Sequence, residues 1–73
     1  MKPFENLDQV LYMQIRVTNL YRNAHNMSIG DFVEFDQKTN LLQFIADAYE
    51  TFHLTGDLGI LEEVDEYVRM ATV

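Results

Sequence analysis

An all-α fold, a small bundle of three main helices plus one short helix, is what this sequence predicts, and three observations predict it. The stretch from Asn40 to Asp57 places Phe44, Ala48, Leu41, Phe52, Ile45, Tyr49 and Leu42 on one arc at 100° per residue, with Gln43, Asp47, Glu50 and Thr51 opposite. Helix start and stop residues stand between the periodic segments. The connections they leave are short, as in a bundle of neighbouring helices. At 73 residues, 48% of them hydrophobic, the chain is expected to fold as one domain over residues 1–73.

The first helix is expected from Asn6 to about Ala24. Asn6 and Gln9 have the spacing of a capping box, in which each side chain satisfies a first-turn amide. This helix carries two apolar stripes. One is Val10, Met13, Val17, Leu20, Tyr21 and Ala24; the other is Leu7, Leu11 and Ile15, set apart by Gln14 and Thr18. One stripe suffices to dock on a core. The second needs its own cover, either a neighbouring helix or a second subunit. Asn26, after His25, suits the left-handed turn that ends a helix.

Ser28 is the next start signal, with Asp31 in the first turn and Met27 and Phe32 at the positions of a hydrophobic staple. A short helix from Ile29 to Gln37 follows, burying Ile29, Phe32, Val33 and Phe35. The β-formers in Phe32-Val33-Glu34-Phe35 favour a strand instead, but the start signals agree on a helix. Lys38-Thr39-Asn40 is a loop, with Thr39 or Asn40 capping the central helix. That helix ends near Leu54, where Gly56 can take the left-handed position. Asp57 can cap the last helix, Leu58 to Met70, which buries Tyr67, Ile60, Ala71, Val64, Val68 and Leu61 and pairs Asp65 with Arg69.

Composition excludes more than it assigns. The net charge is −7, from 12 acids and 5 bases, and Lys2, Arg16, Arg22, Lys38 and Arg69 are scattered. Nucleic acid is bound largely through Lys and Arg on phosphate, so neither it nor an anionic membrane is an expected partner. A basic protein partner fits the charge, although acidity also serves solubility alone. There is no cysteine, hence no disulfide and no thiol nucleophile, and no residue cluster suited to structural zinc. A chain this small is marginal on its own core, and homodimerisation is the expected remedy. Met1-Lys2-Pro3 leads into no apolar leader and no run approaches about 18 apolar residues, so the cytoplasm is the expected compartment.

No catalytic constellation and no cofactor motif is present, and no enzymatic activity is expected. Ser28 is used as a cap, and three glycines form no phosphate loop. His53 has two readings: a ligand- or metal-binding group, with Asp57 nearby, or a histidine interacting with the last carbonyls of its helix. Glu62, Glu63, Asp65 and Glu66 form an acidic run that serves either as solvated surface or as an electrostatic docking patch. Expected partner-binding residues are therefore Leu7, Leu11, Ile15, Glu62 and Glu66.

The segment Tyr49-Glu50-Thr51-Phe52-His53-Leu54-Thr55-Gly56, followed by Ile60, Val64, Tyr67 and Val68, resembles a family of small bacterial domains of unknown function. Those domains carry a Tyr-x-x-Leu-His-Thr-x-Gly-like segment and a final helix with an acidic-Ile-x-x-Tyr-hydrophobic pattern. His25-Asn26-Met27-Ser28 before a short helix matches the same layout, and the resemblance spans about residues 10–70. Phe52 stands where the family has Leu, and Leu54 where it has Thr. The resemblance implies a compact helical protein encoded beside toxin-like genes, singles out Tyr49, His53 and Gly56, and supplies no catalytic residue. The expected role is a non-enzymatic protein-interaction module, antitoxin-like or regulatory, and the alternative is a small homodimer binding a ligand or metal near His53.

Overall fold

The computed structural model describes residues 5–72, with the side chains of residues 5–8 left aside. Among the described residues there are five helices and no strand: α1 (Glu5–His25), α2 (Ile29–Thr39), α3 (Leu41–Asp47), α4 (Tyr49–His53) and α5 (Asp57–Ala71). The chain is all-α. The first helix is the axis: α3, α4 and α5 pack on it, while α2 packs mainly on α3.

The core forms where the predicted apolar arcs meet. Met13, Val17 and Tyr21 of α1, Phe32 of α2, Leu41 and Ile45 of α3, Phe52 of α4, and Ile60 and Val64 of α5 are buried together. Phe44 stacks on Tyr67 at 4.0 Å and meets the edge of Phe52 at 5.8 Å, joining α3, α4 and α5. The Tyr67 hydroxyl donates to the Thr39 carbonyl at 2.5 Å, which satisfies a group left open at the C-terminus of α2.

The central segment is not one continuous helix. Ala48 leaves helical geometry (φ −91°, ψ 8°) and divides it into α3 and α4. Hydrogen bonds run through the bend, from Ala48 N–H to the Phe44 carbonyl and from Phe52 N–H to the Ala48 carbonyl, each 2.9 Å. No glycine or proline stands there. Both halves lie against α1, and a tertiary fit that buries Leu41, Ile45 and Phe52 at once overrides local regularity.

The turns bear out some capping assignments and correct others. Asn26 is left-handed (φ 51°) and ends α1. Ser28 caps α2, its Oγ accepting from Asp31 N–H at 3.0 Å. The first helix already contains Glu5 and Asn6, so Asn6 is not its cap; Gln9 instead accepts a hydrogen bond from Tyr49. Asn40 is the single left-handed residue between α2 and α3 (φ 57°), but its side chain caps nothing. Asp36, one turn earlier, accepts from Leu42 N–H at 2.7 Å and does that work. Thr39 is the buried last residue of α2. Gly56 is not left-handed: at φ −73° and ψ 168° it is the extended N-cap of α5, and Asp57 lies inside the helix.

Two burial expectations fail on α2. Ile29 is 58% exposed and Val33 51% exposed. At 100° per residue Phe32, Phe35 and Thr39 cluster on one side, and Ile29 and Val33 fall roughly 100° away. The two phenylalanines take the core, Phe32 in its centre and Phe35 stacked on Tyr21 at 5.6 Å. Ala24 and Ala71, placed on core arcs by their spacing, are exposed near helix ends. Arg69 pairs with Glu66 rather than Asp65, and Asp65 meets His25 Nε2 at 3.1 Å.

Candidate functional site

The surface over the outer side of α1 is built from the second apolar stripe. Leu11 and Ile15, four residues apart, share one side of the helix and are 49% and 61% exposed. No other part of the described chain covers them. Ile29 at the start of α2 faces them across a groove of about 300 Å³, lined also by Gln14, Thr18, Asn19 and Leu42. Val33, four residues beyond Ile29, extends the same side of α2. None of the lining residues is charged, in a chain of net charge −7.

Two polar details shape this groove. Gln14 Nε2 donates to the Leu42 carbonyl at 2.9 Å, tying the outer side of α1 to the first turn of α3. Thr18 is buried and its Oγ1 has no hydrogen-bond partner. Thr39, Thr55 and Thr72 all donate to the carbonyl four residues back, at 2.9, 2.7 and 2.8 Å. A buried hydroxyl without a partner costs about 1–3 kcal/mol.

A second depression, of about 360 Å³, lies on the other side of α1 between Gln9, Tyr12, Met13, Arg16, Tyr49 and His53. Tyr49 Oη donates to Gln9 Oε1 at 2.7 Å, and the Tyr49 and His53 rings stack at 5.5 Å. Arg16 Nη2 donates to Asp57 Oδ1 at 2.5 Å, so the aspartate anticipated beside His53 is engaged elsewhere. Among the described residues no three His, Cys, Asp or Glu side chains are grouped as a metal site. Gly56 lies outside both hollows, and a Cβ there would meet nothing within 4 Å.

The residues anticipated for partner binding do not form one surface. Leu11 and Ile15 line the uncharged groove; the side chain of Leu7 lies outside the described residues. Glu62 and Glu66 are on α5, which contributes nothing to that groove. Glu66 is engaged by Arg69, whose hydrogen bond and charge hold its carboxyl below the usual range. Ile29, Val33, Thr18 and Leu42 were not among the anticipated residues. The signal for Ile29 and Val33 was their offset from the Phe32–Phe35 side; Thr18 is legible only in three dimensions.

A family model described as "Protein of unknown function (DUF3791)" matches residues 12–70. No curated protein and no solved structure matches the chain. Among the described residues no helix is long and apolar enough to cross a membrane.

Proposed function

The chain belongs to this family, and we propose that it is a non-enzymatic protein-interaction module whose docking surface is the uncharged groove between α1 and α2. The observation that carries this reading is the exposed set Leu11, Ile15, Ile29 and Val33, each about half exposed or more on adjoining helices. Isolated surface hydrophobes are ordinary, whereas a contiguous apolar patch rimmed by polar groups marks a contact surface. The acidic side of α5 supports a second, electrostatic contribution toward a basic partner, from Glu62 and Glu63 beside the internally paired Glu66. The resemblance to small bacterial domains beside toxin-like genes supports an antitoxin-like or regulatory role in the cytoplasm.

The test is affinity purification with the intact chain and with the Ile15→Lys/Ile29→Lys variant, at low and at high salt. A single identified protein, this chain included, held by the first and lost by the second is the expected result. Retention of the same proteins by both, or of none by either, overturns the groove as the docking surface.

The stacked Tyr49–His53 pair, with Gln9 and Arg16 around it, favours a second reading, a small ligand or metal at His53. Titration of the intact chain and of His53→Ala with zinc separates the two readings, since superimposable curves remove that site.

A further inference from the structure

We infer that the hollow between α1 and α4 binds a small monoanionic acid, a carboxylate carried on one or two fused flat rings. The inference rests on the reading of a ligand site at His53 and names the chemical class of that ligand.

Aromatic surface selects a flat ring. On α4, Tyr49 and His53 are four residues apart and stack at 5.5 Å with their planes 24° from parallel, so they present one broad wall. On α1, Tyr12 lines the same hollow and is 68% exposed, its ring left out of the core. Rings of this kind gain from stacked or edge contact with another ring. The volume of about 360 Å³ lies at the lower end of the range that holds small molecules, about 300–1,000 Å³.

The polar atoms of the hollow select an acceptor. Tyr49 gives its proton to Gln9 Oε1, which engages that amide oxygen and leaves the Gln9 NH₂ group to donate. Arg16 has donors only, and Asp57 takes up one of its nitrogens. That ion pair also steadies the guanidinium against α5. In either neutral tautomer His53 adds one more N–H. Among the described residues no carboxylate lines this hollow, although the chain carries 12 acids. A neighbouring hollow that shares Arg16 is lined by Asp57 as well, which disfavours an anion there.

Charge limits the ligand to a single negative group. Asp57 already compensates much of the charge on Arg16, and the whole molecule stands at −7. A doubly charged phosphate meets repulsion that a carboxylate largely escapes.

Amide NMR of the intact chain, titrated with naphthalene carboxylate, tests this. Naphthalene carboxamide keeps the rings without the charge, and cyclohexane carboxylate keeps the charge without the rings. The aromatic acid should shift the amides of Tyr12, Arg16, Tyr49 and His53, and each of the other two probes should bind several-fold more weakly. Arg16→Gln should weaken the aromatic acid about tenfold, the loss of one hydrogen bond to a charged group, and leave the carboxamide within about twofold. Tyr12→Ala should weaken acid and carboxamide alike, by about two- to tenfold. Tyr12 is exposed, so the helical circular dichroism of that variant should match the intact chain.

An intact chain whose amides at this hollow do not move overturns the inference. So does equal affinity for the aromatic acid and its carboxamide, or an Arg16→Gln variant that weakens both equally. If the acid fails while zinc still distinguishes the intact chain from His53→Ala, the inference falls and the site at His53 stands. If neither binds, both fall.

Discussion

The two sides of α1 are alike in sequence and opposite in fate. Met13, Val17 and Tyr21 repeat every fourth residue and are buried; Leu11 and Ile15 repeat in the same way and lie open. Hydrophobicity does not distinguish them. What does is the neighbour: α3, α4 and α5 close over the first set, while α2, held by Phe32 and Phe35, leans onto α3 and leaves the second uncovered. An apolar stripe specifies that a surface is to be removed from water, and says nothing about which molecule removes it.

Substitutions on the two sides should separate this difference into energies. Phe52→Ala opens a cavity in the closed side and should cost about 3–5 kcal/mol, enough to unfold a chain this small near room temperature. Thermal denaturation would check it, and a loss below about 1 kcal/mol would mean that the α1–α4 contact is not core. Thr18→Val acts on the open side with the opposite sign. In dilute solution it should raise stability by about 1–3 kcal/mol, because a buried hydroxyl without a partner is replaced by a methyl group. A loss of stability in urea titration would show that the hydroxyl is satisfied within one chain.

Ser28→Ala tests how firmly the wall of the groove is held. Loss of the cap on α2 should cost about 0.5–2 kcal/mol and loosen the turn that carries Ile29, read as faster amide exchange at Asp31 and Phe32. Unchanged exchange would show that α3 alone holds α2. Leu11→Ala, on the open side, should stay within about 0.5 kcal/mol in dilute solution. A larger loss would mean that Leu11 is covered after all.

Tyr21 gives the closed side a dependence on pH. Burial, followed by the nearby charge of Asp65, raises its phenol above the ordinary value. The native state therefore favours the neutral ring. That contribution is complete below the unfolded tyrosine value of about 10 and is lost as pH rises through the higher folded value. Tyr21→Phe should flatten the alkaline limb of the stability curve. An unchanged limb in denaturation at rising pH would assign the alkaline loss to another group.

Much of the fold was legible because its signals are local. The Ser28 cap and the left-handed Asn26 follow from side chains bonding or tolerating their own backbone, and both stand in the structure. Core membership of Leu41, Ile45, Phe52, Ile60 and Val64 follows from spacing alone. Gly56 misled because its left-handed role depends on how the next helix begins, and here that helix begins at Asp57, one residue earlier than expected, with Gly56 as its extended N-cap. The ion pair of Arg69 misled because spacings of three and four both bring side chains together. Half of the groove was legible too, since Leu11 and Ile15 announce a stripe left over. Its other wall was not, because Ile29 and Val33 read as core until the phenylalanines between them claimed the interior.

The sequence by itself determined where helices form and, in most cases, which of their sides are apolar, signals that act over a turn or two of chain, together with a strongly negative charge and the absence of cysteine. Only the tertiary structure decided the bend at Ala48, the stand-off of α2, the isolation of the Thr18 hydroxyl and the engagement of Arg16 with Asp57. The reason is one of range. Backbone hydrogen bonds and caps are settled between residues a few positions apart, whereas the covering of an apolar side depends on which distant surface has the shape to fit it.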